Sequence, residues 1–266
     1  MKVVRWSLFI FIVLLAATAA PVMGAQAQSQ IEPQAMAALQ KMAQYLANAQ
    51  SFSVTIRDGY DVVQDWGQKI EFGETRKVTL KRPDRLRIDV ERSNGKRGSL
   101  FFDGKYIAIH LAGENTYAIT SREGSVDQAI KYAVGELGVT MPMAVMFLST
   151  LPDELKNRVI DAELVESTTL LDVPCDHIAA QTGEGVDFQV WIAQGDQPLP
   201  RRIVITYFEE EGQPQFWAEL NNWNLSPVIS DDLFLFTPPN GAERIQFMAQ
   251  IGRSASIFEP KEGGKK

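Results

Sequence analysis

Residues 186–225 alternate with a period of two, yet both parities carry large side chains. In "VDFQVWIA", Val186, Phe188, Val190 and Ile192 share one parity, and Trp191 stands on the other beside Gln189. In "RRIVITYF", Ile203, Ile205 and Tyr207 oppose Val204 and Phe208. In "QFWAELNNWNL", Phe216, Ala218 and Leu220 oppose Trp217 and Trp223. Successive side chains of a strand point to opposite faces. An antiparallel sheet that is solvated on one side shows a polar second face. Aromatic residues on that second face need cover, which helices, a ligand or a partner can supply.

The same period appears earlier in the chain. Phe52, Val54 and Ile56 alternate with Ser53, Thr55 and Arg57, and Leu86, Ile88 and Val90 alternate with charged residues. In "SLFFDGKYIAIHL", Asp103-Gly104 separates two apolar runs, a hairpin signal because the pair accepts positive φ. "NTYAIT" adds a strand. Further strands are expected over roughly 159–171, 175–182, 186–193, 201–208 and 215–225, with a short one at "LFLFTPP". Two segments break the pattern. From Pro33, Met36, Leu39, Ala43 and Leu46 recur at helical spacing, and Pro33 suits a first turn. "SVDQAIKYAVGELG" places Ser125 as an N-cap before an apolar row, and "MPMAVMFLSTL" continues as a short helix from Pro142. A helical insert between two runs of antiparallel strands predicts one large curved sheet carrying helices on a face, in the mainly β (α+β) class.

The first 27 residues read as an address. Lys2 and Arg5 precede an apolar run from Leu8 to Leu15, and Ala25-Gln26-Ala27 offers a small-x-small cleavage site. The run is shorter than the roughly 20 residues that span a bilayer. Residues 1–27 are therefore expected to be a secretory signal peptide, with no transmembrane segment after cleavage and no cysteine there to be lipidated. Residues 28–250 are expected to form a single domain, and 251–266, ending "KEGGKK", a disordered tail. The expected location is the periplasm. Removal of Lys2 and Arg5 takes the net charge from −7 to −9, which offers no general attraction to nucleic acid.

Catalytic and metal chemistry find few candidates. Cys175 and His177 stand two apart in "VPCDHIAAQ", on one strand face about 6.5–7 Å apart. An imidazolium at that distance can activate a thiol. Free cysteine is also among the most buried residue types, and no oxyanion loop flanks the pair. The expected reading is a core cysteine, and the protein is not expected to be an enzyme. One cysteine permits no internal disulfide, and two histidines with one cysteine make no metal centre. No phosphate-binding or dinucleotide motif is present, so no cofactor is expected. "FEEEG" at 208–212 reads as a solvated turn, and "KRPDRLR", with Lys81, Arg82, Arg85 and Arg87, as a solvated sheet edge or a contact for an anionic headgroup.

"FFDGKYIAIHLAGENTYA", "PCDHIA", "DFQVWIAQGDQPLPRRIVITY", "WNL" and "FLFTPPNGAERI" together resemble domain-of-unknown-function family 2092, exported bacterial proteins, over roughly 35–247. That family is similar to the superfamily of the outer-membrane lipoprotein carrier protein. The resemblance implies an unclosed antiparallel half-barrel of about ten strands, with helices plugging the concave face. It also implies an apolar cavity for a hydrophobic ligand, a lipid or the acyl chains of a lipoprotein. The alternative is an envelope protein-recognition or stress-sensing module with a protein partner and no lipid cargo. Trp191, Trp217, Trp223, Met143, Met146 and Phe147 are the expected lining, and Met141, Met143, Met146 and Phe147 together form an expected adjustable lid.

Overall fold

The structure, a computed structural model, describes residues 31–247. The expected signal peptide and C-terminal tail lie outside the described residues. Helix α1 (Pro33–Asn48) leads into six antiparallel strands: β1 (Ser51–Val63), β2 (Lys69–Lys81), β3 (Arg85–Arg92), β4 (Arg97–Phe102), β5 (Tyr106–Leu111) and β6 (Thr116–Ser121). The helical insert follows, with α2 (Val126–Gly135), a 3-10 turn (Ala144–Phe147) and α3 (Leu151–Arg158). Five more strands come next: β7 (Val159–Leu170), β8 (Val173–Thr182), β9 (Val186–Ala193), β10 (Pro200–Tyr207) and β11 (Gln215–Asn224). A two-residue strand, β12 (Glu243–Arg244), runs parallel to β6.

The sheet order is β12-β6-β5-β4-β3-β2-β1-β11-β10-β9-β8-β7. Every neighbouring pair except β12–β6 is antiparallel, and all but two follow in sequence. The β1–β11 ladder joins the two halves, with Ile56 opposite Leu220 and Asp58 opposite Ala218. β7 and β12 do not meet, so the fold is an unclosed half-barrel. The β7 edge is blunted by residues 31 and 32: Glu32 N donates to Ala162 O, and Leu164 N to the Glu32 carboxylate.

One face is covered by the helices. The α1 stripe of Ala35, Leu39, Met42, Ala43 and Leu46 is buried and packs with α3 and β7. Ser125 caps α2 as its sequence predicts: its Oγ accepts from Gln128 N, and Gln128 Oε1 accepts from Ser125 N at 2.9 Å. The segment beginning at Pro142 is no α-helix but the 3-10 turn, with Met146 and Phe147 buried, and α3 starts only at Leu151. Arg82 does not belong to a solvated edge. Its Nη2 donates to Phe147 O at 3.0 Å and its Nη1 lies 3.4 Å from Asp127, whose carboxylate accepts from Ser149 N. The end of β2 thereby ties both parts of the insert to the sheet.

The opposite face is covered in two ways. Over β3–β6 the segment that follows β11 doubles back. "LFLFTPP" is not a strand: Phe234 ends a 3-10 turn (Asp231–Phe234) and is fully buried, and Phe236 packs against Phe101, His110 and Tyr117. Arg87 holds the crossing by donating to Leu233 O at 3.1 Å. Over β8–β11 and β1 the side chains of the sheet cover one another.

Candidate functional site

A cavity of about 780 Å³ lies between the helix-covered face of β1–β5 and the segment 139–143. Its sheet wall is apolar at one end, with Ile56, Val78, Ile88, Leu100 and Phe216, and Met143 and Phe147 close it from the insert. These residues share a face because each pairing keeps parity: Val78 lies opposite Ile88, and Ile88 opposite Leu100. Exposed Lys96, Arg97, Glu114 and Glu210 stand on its rim.

The same wall carries a row of charges. Asp58 continues the inward parity of Phe52, Val54 and Ile56 and is fully buried. Arg76 Nη2 donates to Asp58 Oδ2 at 3.1 Å and to Glu74 Oε2 at 3.0 Å, and Arg92 Nε donates to Glu74 Oε1 at 3.1 Å. Arg76 Nε lies 3.0 Å from Asp58 Oδ1 but out of line for a hydrogen bond. Burial pushes the Asp58 carboxyl up to about 6, against the pull of Arg76 and with help from the like charge of Glu74.

Of the residues expected to line a cavity, Met143 and Phe147 do so, with Met141 beside them. Met146 is buried in the core next to them and does not reach the cavity. Trp223 lies on neither the cavity nor the face that strict alternation assigns it. Asn222 adopts φ 54° and the β1–β11 register slips between Ser53 and Thr55, which turns Trp223 inward. Its ring meets Phe52 at 5.5 Å, and its Nε1 donates to Pro200 O.

Trp191 and Trp217 occupy the outer face, away from the cavity, where side chains of neighbouring strands cover them. The His177 ring stacks on Trp191 at 4.0 Å, and the Arg202 guanidinium lies 5.8 Å from Trp191 and 5.6 Å from Trp217. Arg57 follows at 6.0 Å beyond Trp217. Strands β8 and β9 thus present stacked rings, and β9, β10, β11 and β1 alternate rings and cations, an attractive arrangement over the tryptophan faces. Gly59 makes room for it, since a Cβ there would stand 2.6 Å from Trp217 Nε1, the atom that donates to Glu71.

Cys175 is fully buried, and its Sγ donates to Val173 O at 3.3 Å. His177 directs Nε2 to Gln189 at 3.0 Å and its ring to Trp191, not to the thiol. Burial pushes the thiol pKa up, which suppresses the thiolate. Native protein at about pH 8 should therefore resist iodoacetamide and react at Cys175 only after unfolding; mass spectrometry of the alkylated chain distinguishes the two. Rapid native alkylation would restore the nucleophile reading.

Residues 35–248 match the model of the DUF2092 family, described as predicted periplasmic protein, and the chain belongs to that family. No curated protein matches the chain. Among solved structures it is similar to an uncharacterized conserved protein from Thermus thermophilus, with 12% identity over 80% of this chain and 99% of that one, at a TM-score of 0.45. It is similar to lipoprotein LppX of Mycobacterium tuberculosis, with 16% identity over 74% and 98% of the two chains and a TM-score of 0.45. A LolA superfamily protein from Nitrosomonas europaea shares 10% identity over 76% and 97%, at a TM-score of 0.40. No helix among the described residues is long and apolar enough to cross a membrane.

Proposed function

We propose that residues 28–250 act as one periplasmic binding domain that holds a hydrophobic ligand, a lipid or the acyl chains of a lipoprotein, between the curved sheet and the helical insert. The cavity of about 780 Å³ supports this reading most directly. Its size falls within the roughly 300–1,000 Å³ of small-molecule sites, and its apolar end, bounded by Ile56, Val78, Ile88, Leu100, Met143 and Phe147, has the character of such sites. Binding would be driven by burial. Several hundred Å² of acyl surface at about 25 cal/mol per Å² supplies several kcal/mol before ordering costs. Met141 and Met143, unbranched and polarizable, suit contact with chains of varied shape.

Native mass spectrometry with lipid extraction, on protein purified from its own periplasm without detergent, tests the reading. Near-stoichiometric lipid is expected. Leu100→Trp, which fills the cavity from its sheet wall, should lose that lipid, whereas Trp217→Ala on the outer face should keep it. A clean apo mass with no uptake on incubation would overturn the lipid reading and favour recognition of an envelope protein.

A further inference from the structure

The cavity wall holds charges where a purely apolar cargo has no use for them. Glu74 and Arg76 of the lining keep only 7% and 15% of their side-chain surface exposed, and Asp58, buried behind them on the same sheet face, keeps 0%. Ion pairs buried this deeply recover little more than their desolvation cost, so they are weak devices for stability alone. Their distribution of hydrogen-bonding capacity is uneven. Both Glu74 oxygens are taken by guanidinium groups, and both Asp58 oxygens face Arg76. On the rim, Asp61 accepts from Gln215 N, and Glu114 pairs with Lys96 at 2.8 Å. Glu210, exposed on the turn after β10, is the lining carboxylate without an ion pair among the described residues.

The donors are less committed. A guanidinium has five N–H groups and no acceptor. Arg76 places Nη2 on two carboxylates, leaves Nε buried without an aligned acceptor, and makes no hydrogen bond through Nη1 among the described residues. Arg92 uses Nε alone, and Arg97, beside it on the rim, makes no ion pair with the described residues. Asp58 Oδ1, behind the lining, and the exposed Glu210 are the acceptors left without an aligned donor among these groups; the remaining free capacity facing the cavity from its wall is donor capacity, at the end opposite Met143 and Phe147. A paired guanidinium fork is also the geometry that grips an oxyanion.

We propose that the cavity takes an amphiphile with a single acidic head, its chain against Ile56, Val78, Ile88, Leu100 and Phe147 and its anionic oxygens on Arg76 and Arg92. This rests on the cavity reading above and names the ligand class for it. The head is a carboxylate or a phosphate, which these donors serve alike. Asp58 offers a means of balancing the incoming charge. The charged groups facing it are Arg76 and Glu74 from β2, while its β11 neighbour is Ala218. A proton taken up by this buried carboxyl, already raised to about 6, would release Arg76 to the ligand.

The test is displacement of the neutral fluorophore N-phenyl-1-naphthylamine from the full exported chain, delipidated and free of detergent, by oleate and by oleyl alcohol. Wild-type protein should bind oleate about tenfold or more tighter than the alcohol, the scale of a charge-assisted hydrogen bond. Arg92→Gln should remove most of that difference, weakening oleate far more than the alcohol. Its side chain is 56% exposed, so the variant should fold even if Arg76→Gln, deeper in the wall, does not. Oleoyl lysophosphatidic acid binding tighter than oleate would identify a phosphate head, and the reverse order a carboxylate; both support an acidic head. Equal affinity for oleate and oleyl alcohol would overturn the acidic-head proposal and leave the cavity reading standing. Failure of both to displace the fluorophore would overturn the two together.

Discussion

Phe52→Ala should lower the stability of the folded chain by about 3–5 kcal/mol, the range for deleting a large buried aromatic. Phe52 is 1% exposed and joins three parts of the fold. It lies opposite Leu80 in the β1–β2 ladder, its ring stacks on Phe147 of the insert at 6.3 Å, and it tilts against Trp223 of β11 at 5.5 Å. Each partner is fixed by another contact: the Phe147 carbonyl by Arg82, and the Trp223 indole by Pro200 O. The surroundings therefore have little freedom to collapse into the space, which places the cost toward the upper end. Urea unfolding checks it, with a lower midpoint and an unchanged slope expected. Val228→Ala, at a fully exposed site, should stay within about 0.5 kcal/mol. A loss below about 1 kcal/mol for Phe52→Ala would mean that this junction repacks and does not anchor the insert.

How far the sequence reveals this molecule depends on whether the covering of a residue is local. Phe52, Val54 and Ile56 show their strand, and Ser125 with Gln128 shows a helix start, because the reason for each lies within a few residues. β2 is missed in "KIEFGETRKVTLK" because its inward parity carries Glu74 and Arg76, whose partners sit on β1 and β3. The available clue is Asp58, a carboxylate that continues an apolar parity. α3 is missed because only Leu151 of "LPDELKNR" is buried, which leaves no periodic stripe to read. The tryptophans mislead for two separate reasons. One positive-φ residue, Asn222, reverses the parity of Trp223. Trp191 and Trp217 are covered by cations from strands that become neighbours only through the sheet order. Met143 and Phe147 are legible as cavity candidates because a methionine-rich apolar segment has to face the sheet.

The stability of the wild-type chain should fall by roughly 3 kcal/mol, through Asp58 alone, as pH rises across the window from about 4 to about 6. The sign follows from proton counts. An unfolded aspartate releases its proton near 3.8, whereas the buried Asp58 keeps its proton up to about 6. Between these values the native state binds more protons than the unfolded state, so raising the pH favours unfolding. Below the window the contribution is fully present, and above it both states are ionised and the loss is complete. The physical cause is that desolvation of the carboxylate outweighs the attraction of Arg76, while Glu74 adds repulsion. Asp58→Asn cannot titrate, and Arg76 retains Glu74 as a partner. Urea midpoints of the two proteins, measured in parallel across the window, cancel the other carboxylates. The difference should move toward the variant by roughly 3 kcal/mol with rising pH. A difference that stays flat would mean that Arg76 stabilises the Asp58 carboxylate as well as water does, and that no proton is held there for an incoming anion to use.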